Sequence, residues 1–149
     1  MYKIAFGKIS ALFNAISSVE KLYVPTDKDD IAVFAEYKDG VELTQKLNTN
    51  RSAKDFFFPQ TENLYDVKMK DKKIEITDTR EECEDFVIFG VRACDVRSFS
   101  ILDKVYLAAP IDSYYKNRRD HGTIISLACG RPEETCFCQS FGINAADPE

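Results

Sequence analysis

Apolar residues Ile9, Leu12, Phe13, Ile16 and Val19 recur at helical spacing, which predicts an amphipathic helix over residues 8–20. KLYVPTD follows as a short extended segment closed by Pro25. IAVFAEY, residues 31–37, is rich in strand formers and ends at a KDG turn. VELTQKL is ambiguous and is read as a short helix. After it, NTNRSAKDFFFPQ forms a polar linker running into aromatics. Phe56, Phe57 and Phe58 are expected to pack in a core or interface rather than to stack on a cofactor. Residues 64–77 alternate apolar and polar on both sides of KDKK, the pattern of an antiparallel hairpin.

The stretch EDFVIFGVRACDVRSFSILDKVYL changes period within itself. Phe86 to Val91 form a nearly unbroken apolar run, as in a strand covered on both faces. Val96, Phe99, Leu102 and Tyr106 then share one helical face, with Asp95 expected as the N-cap. Polar APIDSYYKNRRDHG separates this helix from a second apolar strand, TIISLA, which ends at Cys129. Strand, helix and strand in that order predict a βαβ unit with parallel strands. The expected fold is therefore a compact mixed α/β domain. Its sheet is partly parallel, contains the βαβ unit and has an antiparallel hairpin beside it.

A chain of 149 residues fits one domain, and 44% hydrophobic with 30% charged residues argues against disorder. The net charge of −5 argues against a nucleic-acid-binding surface. No apolar run reaches the roughly 20 residues of a membrane span, and the N-terminus lacks a cleavable leader pattern, so a cytoplasmic location away from membranes is expected. The ending GINAADPE carries no apolar pattern and reads as a domain boundary or a cut.

Five cysteines, an odd count, suit a disulfide framework poorly. Cys83, among charges, is expected as a packing residue. Cys129, Cys136 and Cys138 instead crowd into ten residues beside Gly130 and Pro132. Parallel strands joined by a helix end on one edge of the sheet, so Cys94, just past one strand, should emerge beside Cys129. Neighbouring strands lie about 5 Å apart. A C-x-C pair in an extended loop can direct both sulfurs to one side, so Cys94, Cys129, Cys136 and Cys138 can surround one centre. Cys94 lies at a helix N-terminus, which favours thiolate, and Arg92 beside it would stabilise an anionic centre. Four thiolates suit tetrahedral zinc or an iron–sulfur cluster, and the spacing does not choose between them. His121, the only histidine, is expected to be solvated in a polar loop. Arg118 and Arg119 are available to neutralise a cluster, to pair with a partner's acids, or to lie solvated. No dinucleotide-binding or P-loop pattern occurs.

FGVRACDVRSFSILDKVYL, YYKNRR, IISLAC and ETCFCQSFG resemble the N-terminal part of the iron–sulfur electron-transfer subunits of anaerobic sulfite reductase. They are also similar to the beta subunits of cytoplasmic sulfur-reducing nickel–iron hydrogenases. The shared motifs are GVR-x-C-D and C…CFC-x-S-x-G, matched by Cys94 and Asp95 in the first and by Cys129, Cys136, Phe137, Cys138, Ser140 and Gly142 in the second. RACD in place of RPCD leans toward the sulfite reductase branch. The resemblance covers roughly residues 55–142. It implies an electron-transfer role without catalysis by this chain. It also implies an iron–sulfur cluster, 4Fe–4S rather than 2Fe–2S, on the four cysteines, with Arg92 and Asp95 in the cofactor site. The implied partners are other subunits of an oxidoreductase complex and a ferredoxin-like domain or electron carrier. Family members continue into a ferredoxin-like half with two C-x2-C-x2-C-x3-C-P motifs, absent from these residues. Residues 1–149 are therefore expected to be an N-terminal domain or a truncated homologue.

Overall fold

Every residue of one strand, Phe86–Val91, is buried, as its unbroken apolar run requires. The computed structural model describes residues 4–80 and 83–147. Its first helix is α1, Ile9–Ser17, and the strand hairpin β1, Lys21–Lys28, and β2, Ile31–Glu36, follows. A 3₁₀ turn, Ala53–Phe56, precedes a second hairpin of β3, Tyr65–Lys70, and β4, Lys73–Asp78. The buried strand is β5. It leads into α2, Ala93–Tyr106, α3, Ser113–His121, β6, Gly122–Ser126, and a last 3₁₀ turn, Cys138–Phe141. The main sheet has the order β2-β1-β5-β6, with β5 parallel to both β1 and β6. The expected βαβ unit is present, with β5 and β6 immediate neighbours. The hairpin β3–β4 forms a separate two-stranded sheet.

Alternation along β5 divides the core into two layers. Val87 and Phe89 join Phe13, Leu22, Val24 and Tyr37 on the α1 side. Phe86 and Ile88 join Phe57, Phe99 and Tyr115 on the side of α2 and α3. Strict alternation would send Val91 to the first layer, yet it packs in the second. The reason is an irregularity between Phe89 and Val91, where Gly90 has φ 91° and inserts one extra residue. A Cβ on Gly90 would also stand 2.8 Å from Pro25 Cγ.

Several expectations need correction. Pro25 does not close β1, which continues to Lys28 with Pro25 paired to Phe34. β1 meets β5 only through Tyr23, so the missing proline N–H faces no ladder on that side. VELTQKL is irregular rather than helical; its Thr44 N–H donates to the Pro25 carbonyl at 2.9 Å. The polar stretch after α2 contains α3, capped by the Asp112 carboxylate, which accepts from the Tyr114 and Tyr115 amides. His121 is accordingly the last residue of a helix, its Nδ1 2.6 Å from Asp85. Phe57 is buried and Phe56 half-buried, as expected of core aromatics, while Phe58 is exposed against Tyr106 at 4.7 Å between centroids. Among the described residues no helix is long and apolar enough to cross a membrane.

Candidate functional site

The last paired residues of the neighbouring strands are Val91 and Ser126, and the ladder is prolonged by Leu127 N–H donating to the Val91 carbonyl at 2.8 Å. Cys94 and Cys129 each lie three residues beyond that pair, so the parallel topology sets both on one rim. Arg92 ties the rim together. Its Nε donates to the Leu47 carbonyl at 3.2 Å and its Nη1 to the Ala128 carbonyl at 3.3 Å, one residue before Cys129.

Arg92, not Asp95, is the N-cap residue of α2, and it contributes no side-chain cap bond. Asp95 belongs to the first helical turn, where a carboxylate complements the helix dipole. It accepts from Ser52 Oγ and Lys54 Nζ, both at 2.7 Å, and so fastens α2 to the preceding 3₁₀ turn. A cleft of about 320 Å³ beside these groups is lined by Asn48, Thr49, Ser52, Arg92, Cys94 and Asp95, among others.

The remaining two thiols lie on the segment that follows β6. Cys129 N–H donates to the Ala145 carbonyl at 2.8 Å, which closes this segment into a loop. Within it, Cys136 Sγ accepts from the Glu133 amide at 3.3 Å. Cys138 opens the last 3₁₀ turn, which ends at Gly142 in the left-handed region with φ 64°. Phe141, Gly142, Ile143 and Asn144 face Ala93, Val96 and Arg97 of α2 across a second cleft of about 340 Å³.

All five cysteines are free thiols. The structure sets Cys138 close enough to Cys94 to act on it electrostatically. The expected thiolate preference of Cys94 is overturned. Desolvation first, then the electrostatics of neighbouring Asp95 and Cys138, push its thiol up, outweighing the backbone amides that stabilise the anion. Among the described residues, no three His, Cys, Asp or Glu side chains are grouped to hold a metal ion. Cys83 is half-buried against the core layer of Phe57 and Phe86, consistent with packing, and burial pushes its thiol up.

The arginines of α3 serve the domain itself. Arg119 donates to both oxygens of Asp103, at 2.9 and 3.0 Å, and lies over Phe57 and Phe99. Arg118 pairs with Glu62. Sequence reasoning missed the partners of Asp95 and Asp103, for which no local pattern exists. Asp112 followed by a helix-length polar run was the one legible sign of α3.

The fold and rim define a class: a mixed α/β domain with free thiols beyond the ends of two adjacent parallel strands. Over 135 residues, 90% of its length, the chain is 34% identical to sulfhydrogenase 2 subunit beta of Pyrococcus furiosus. The match falls on the N-terminal part of that relative and supports kinship with the hydrogenase beta and sulfur-reducing subunits. The match spans 39% of the relative's length. It falls on the hydrogenase side of the resemblance, not on the sulfite reductase side toward which RACD leans. No family model and no solved structure matches the chain.

Proposed function

We propose that this chain is an electron-transfer domain of an oxidoreductase complex, holding an iron–sulfur cluster through Cys94, Cys129, Cys136 and Cys138. The observation carrying the reading is the shared rim, with Cys94 and Cys129 at matching offsets from adjacent parallel strands and Cys138 within electrostatic reach of Cys94. Kinship with a hydrogenase beta subunit supports a place in such a complex. In donor chemistry, four free thiols fit a four-cysteine centre, and the resemblance to the iron–sulfur subunits favours four irons over two. Closing the coordination sphere requires the loop carrying Cys129, Cys136 and Cys138 to rearrange.

When bound, the cluster supplies one-electron redox chemistry. The chain's own residues hold and surround it. Arg92 positions the start of the Cys129 loop and brings a cation to the rim, while Asp95 fixes the first turn of α2 and with it the Cys94 backbone. Exposed Phe137 and Phe141, with ring centroids 5.4 Å apart, flank the thiols and can shield them from water once a partner covers the rim. The partners are further subunits of the complex and a ferredoxin-like domain or carrier, in a cytoplasmic assembly.

Anaerobic purification followed by iron, sulfide and zinc analysis with electron paramagnetic resonance tests the reading. Iron, acid-labile sulfide and a reducible paramagnetic signal are expected. They should be lost in Cys136→Ala and retained in Cys83→Ala. Stoichiometric zinc without a signal would replace the redox role by a structural one, and equal loss in both variants would remove the ligand assignment.

A further inference from the structure

The segment that carries Cys129, Cys136 and Cys138 is built as a body of its own. Inside it, Cys136 N–H donates to the Glu133 carbonyl, Ser140 N–H to the Phe137 carbonyl and Ile143 N–H to the Cys138 carbonyl, each at 3.0 Å. Its two ends are joined by the bond from Cys129 N–H to the Ala145 carbonyl. Among the described residues, no hydrogen bond or ion pair runs from residues 130–144 to α2. The cleft of about 340 Å³ lies between the two bodies instead. Ala93, Val96 and Ser100 recur at intervals of three and four, so one face of α2 forms the far wall, with Phe141 and Ile143 on the loop side.

Phe141 stands out of place there. It is 66% exposed, although buried Ala93 and half-buried Val96 line the wall it faces. An apolar ring left in water at the edge of such a cleft gains by entering it. The sequence ties that ring to a thiol. Cys138 opens a 3₁₀ turn and Phe141 closes it, and at three residues per turn their side chains share a face. Gly142, in the left-handed region, donates back to the Cys138 and Gln139 carbonyls and fixes the end of the turn. The turn therefore moves as one piece. Motion that carries Cys138 toward Cys94 also carries Phe141 toward the helical turn that contains Ala93 and Val96.

We propose that Phe141 is an apolar latch: the loop of residues 129–145 closes on α2 as a unit when the four thiols coordinate, and the Phe141 ring then enters the cleft against Ala93 and Val96. This rests on the four-cysteine reading, and it gives the loop rearrangement which that reading requires a direction and a driving contact. With the open form as the resting state, closure and coordination are linked, so whatever Phe141 adds to the closed form raises metal affinity by the same factor. Covering an aromatic ring now largely in water is worth roughly tenfold in affinity.

Anaerobic titration of the reduced, metal-free chain with cadmium ion tests the latch, because ligation and closure give separate signals. Cadmium–thiolate absorption in the ultraviolet reports ligation. The chain contains no tryptophan, so Phe141→Trp supplies a single fluorophore whose emission reports closure. One cadmium per chain, at an absorption matching four thiolates, is expected together with a blue shift of the indole emission. In competition with a chelator, Phe141→Ala should bind about tenfold more weakly at unchanged absorption per cadmium, whereas Val105→Ala, exposed on α2 outside the cleft, should bind as the unaltered chain does. Val96→Ala approaches the contact from the other wall, and its loss should combine less than additively with that of Phe141→Ala. Circular dichroism verifies that each variant is folded. Full thiolate absorption with an unshifted emission, or with unchanged affinity in Phe141→Ala, would overturn the latch and leave the ligand set standing. Absence of thiolate absorption in the unaltered chain would overturn the ligand set and the latch with it.

Discussion

Gly122 joins α3 to β6 with φ −94° and ψ 118°, a conformation open to any L residue, so only space demands glycine there. A Cβ at this position would overlap Phe57 Cε1 and stand 2.7 Å from the Cζ atoms of both Phe57 and Phe86. Carbon atoms pack best at about 3.5–4.0 Å, so Gly122→Ala forces one or both rings to retreat by about 1 Å. Neither ring has anywhere to go. Phe57 and Phe86 are buried, their centroids are 5.5 Å apart, and Phe57 is further confined by Phe99 at 5.0 Å and by Arg119. Overpacking of this kind costs about 1–3 kcal/mol, and the rigidity of the site argues for the upper half of that range. Urea denaturation followed by circular dichroism should show a lower midpoint at unchanged slope. The same substitution in a Phe57→Leu background should cost at least about 1 kcal/mol less, because the obstructing ring is gone. An equal cost in both backgrounds would refute the steric argument and point to the backbone instead.

Burial alone would raise the Asp103 carboxyl, but hydrogen bonds from Arg119 and Tyr115, with the Arg119 charge, hold it below the usual range. A depressed folded value stabilises above the unfolded pKa of about 4 and is lost as pH falls through the folded one. Asp103→Asn should therefore cost about 2 kcal/mol near neutrality and flatten the acid limb of the stability–pH curve; an acid limb of unchanged steepness would count against the pairing. Arg92→Gln should speed amide hydrogen exchange across residues 127–138 at a stability cost of about 1–2 kcal/mol; unaltered exchange there would show that its two carbonyl contacts do not organise the loop. The contrast between Cys136→Ala and Cys83→Ala in cluster loading completes the set.

Local pattern carried β5, α2 and the β3–β4 hairpin, since each is written in period 2 or period 3.6 within a few residues. Adjacent parallel strands then bring Cys94 toward Cys129 whatever the details of packing. Other features depended on contacts between distant segments. The nine residues of α3 show no apolar stripe; the helix buries Tyr115 in the core layer of Phe57 and lays the Arg119 guanidinium over the Phe57 ring, which lies in another part of the chain. Asp95 looks like a cap in sequence because acidic residues favour helix starts. The helix instead begins at Ala93, and the carboxylate turns to Ser52 and Lys54, more than 40 positions away. The raised pKa of Cys94 likewise reflects desolvation with Asp95 and Cys138 nearby, whereas the sequence suggested a helix dipole and the Arg92 cation. Periodicity is a property of neighbours along the chain, so it reveals which face of an element is apolar. What that face meets, and which charges stand beside a given sulfur, is decided only when distant segments pack together.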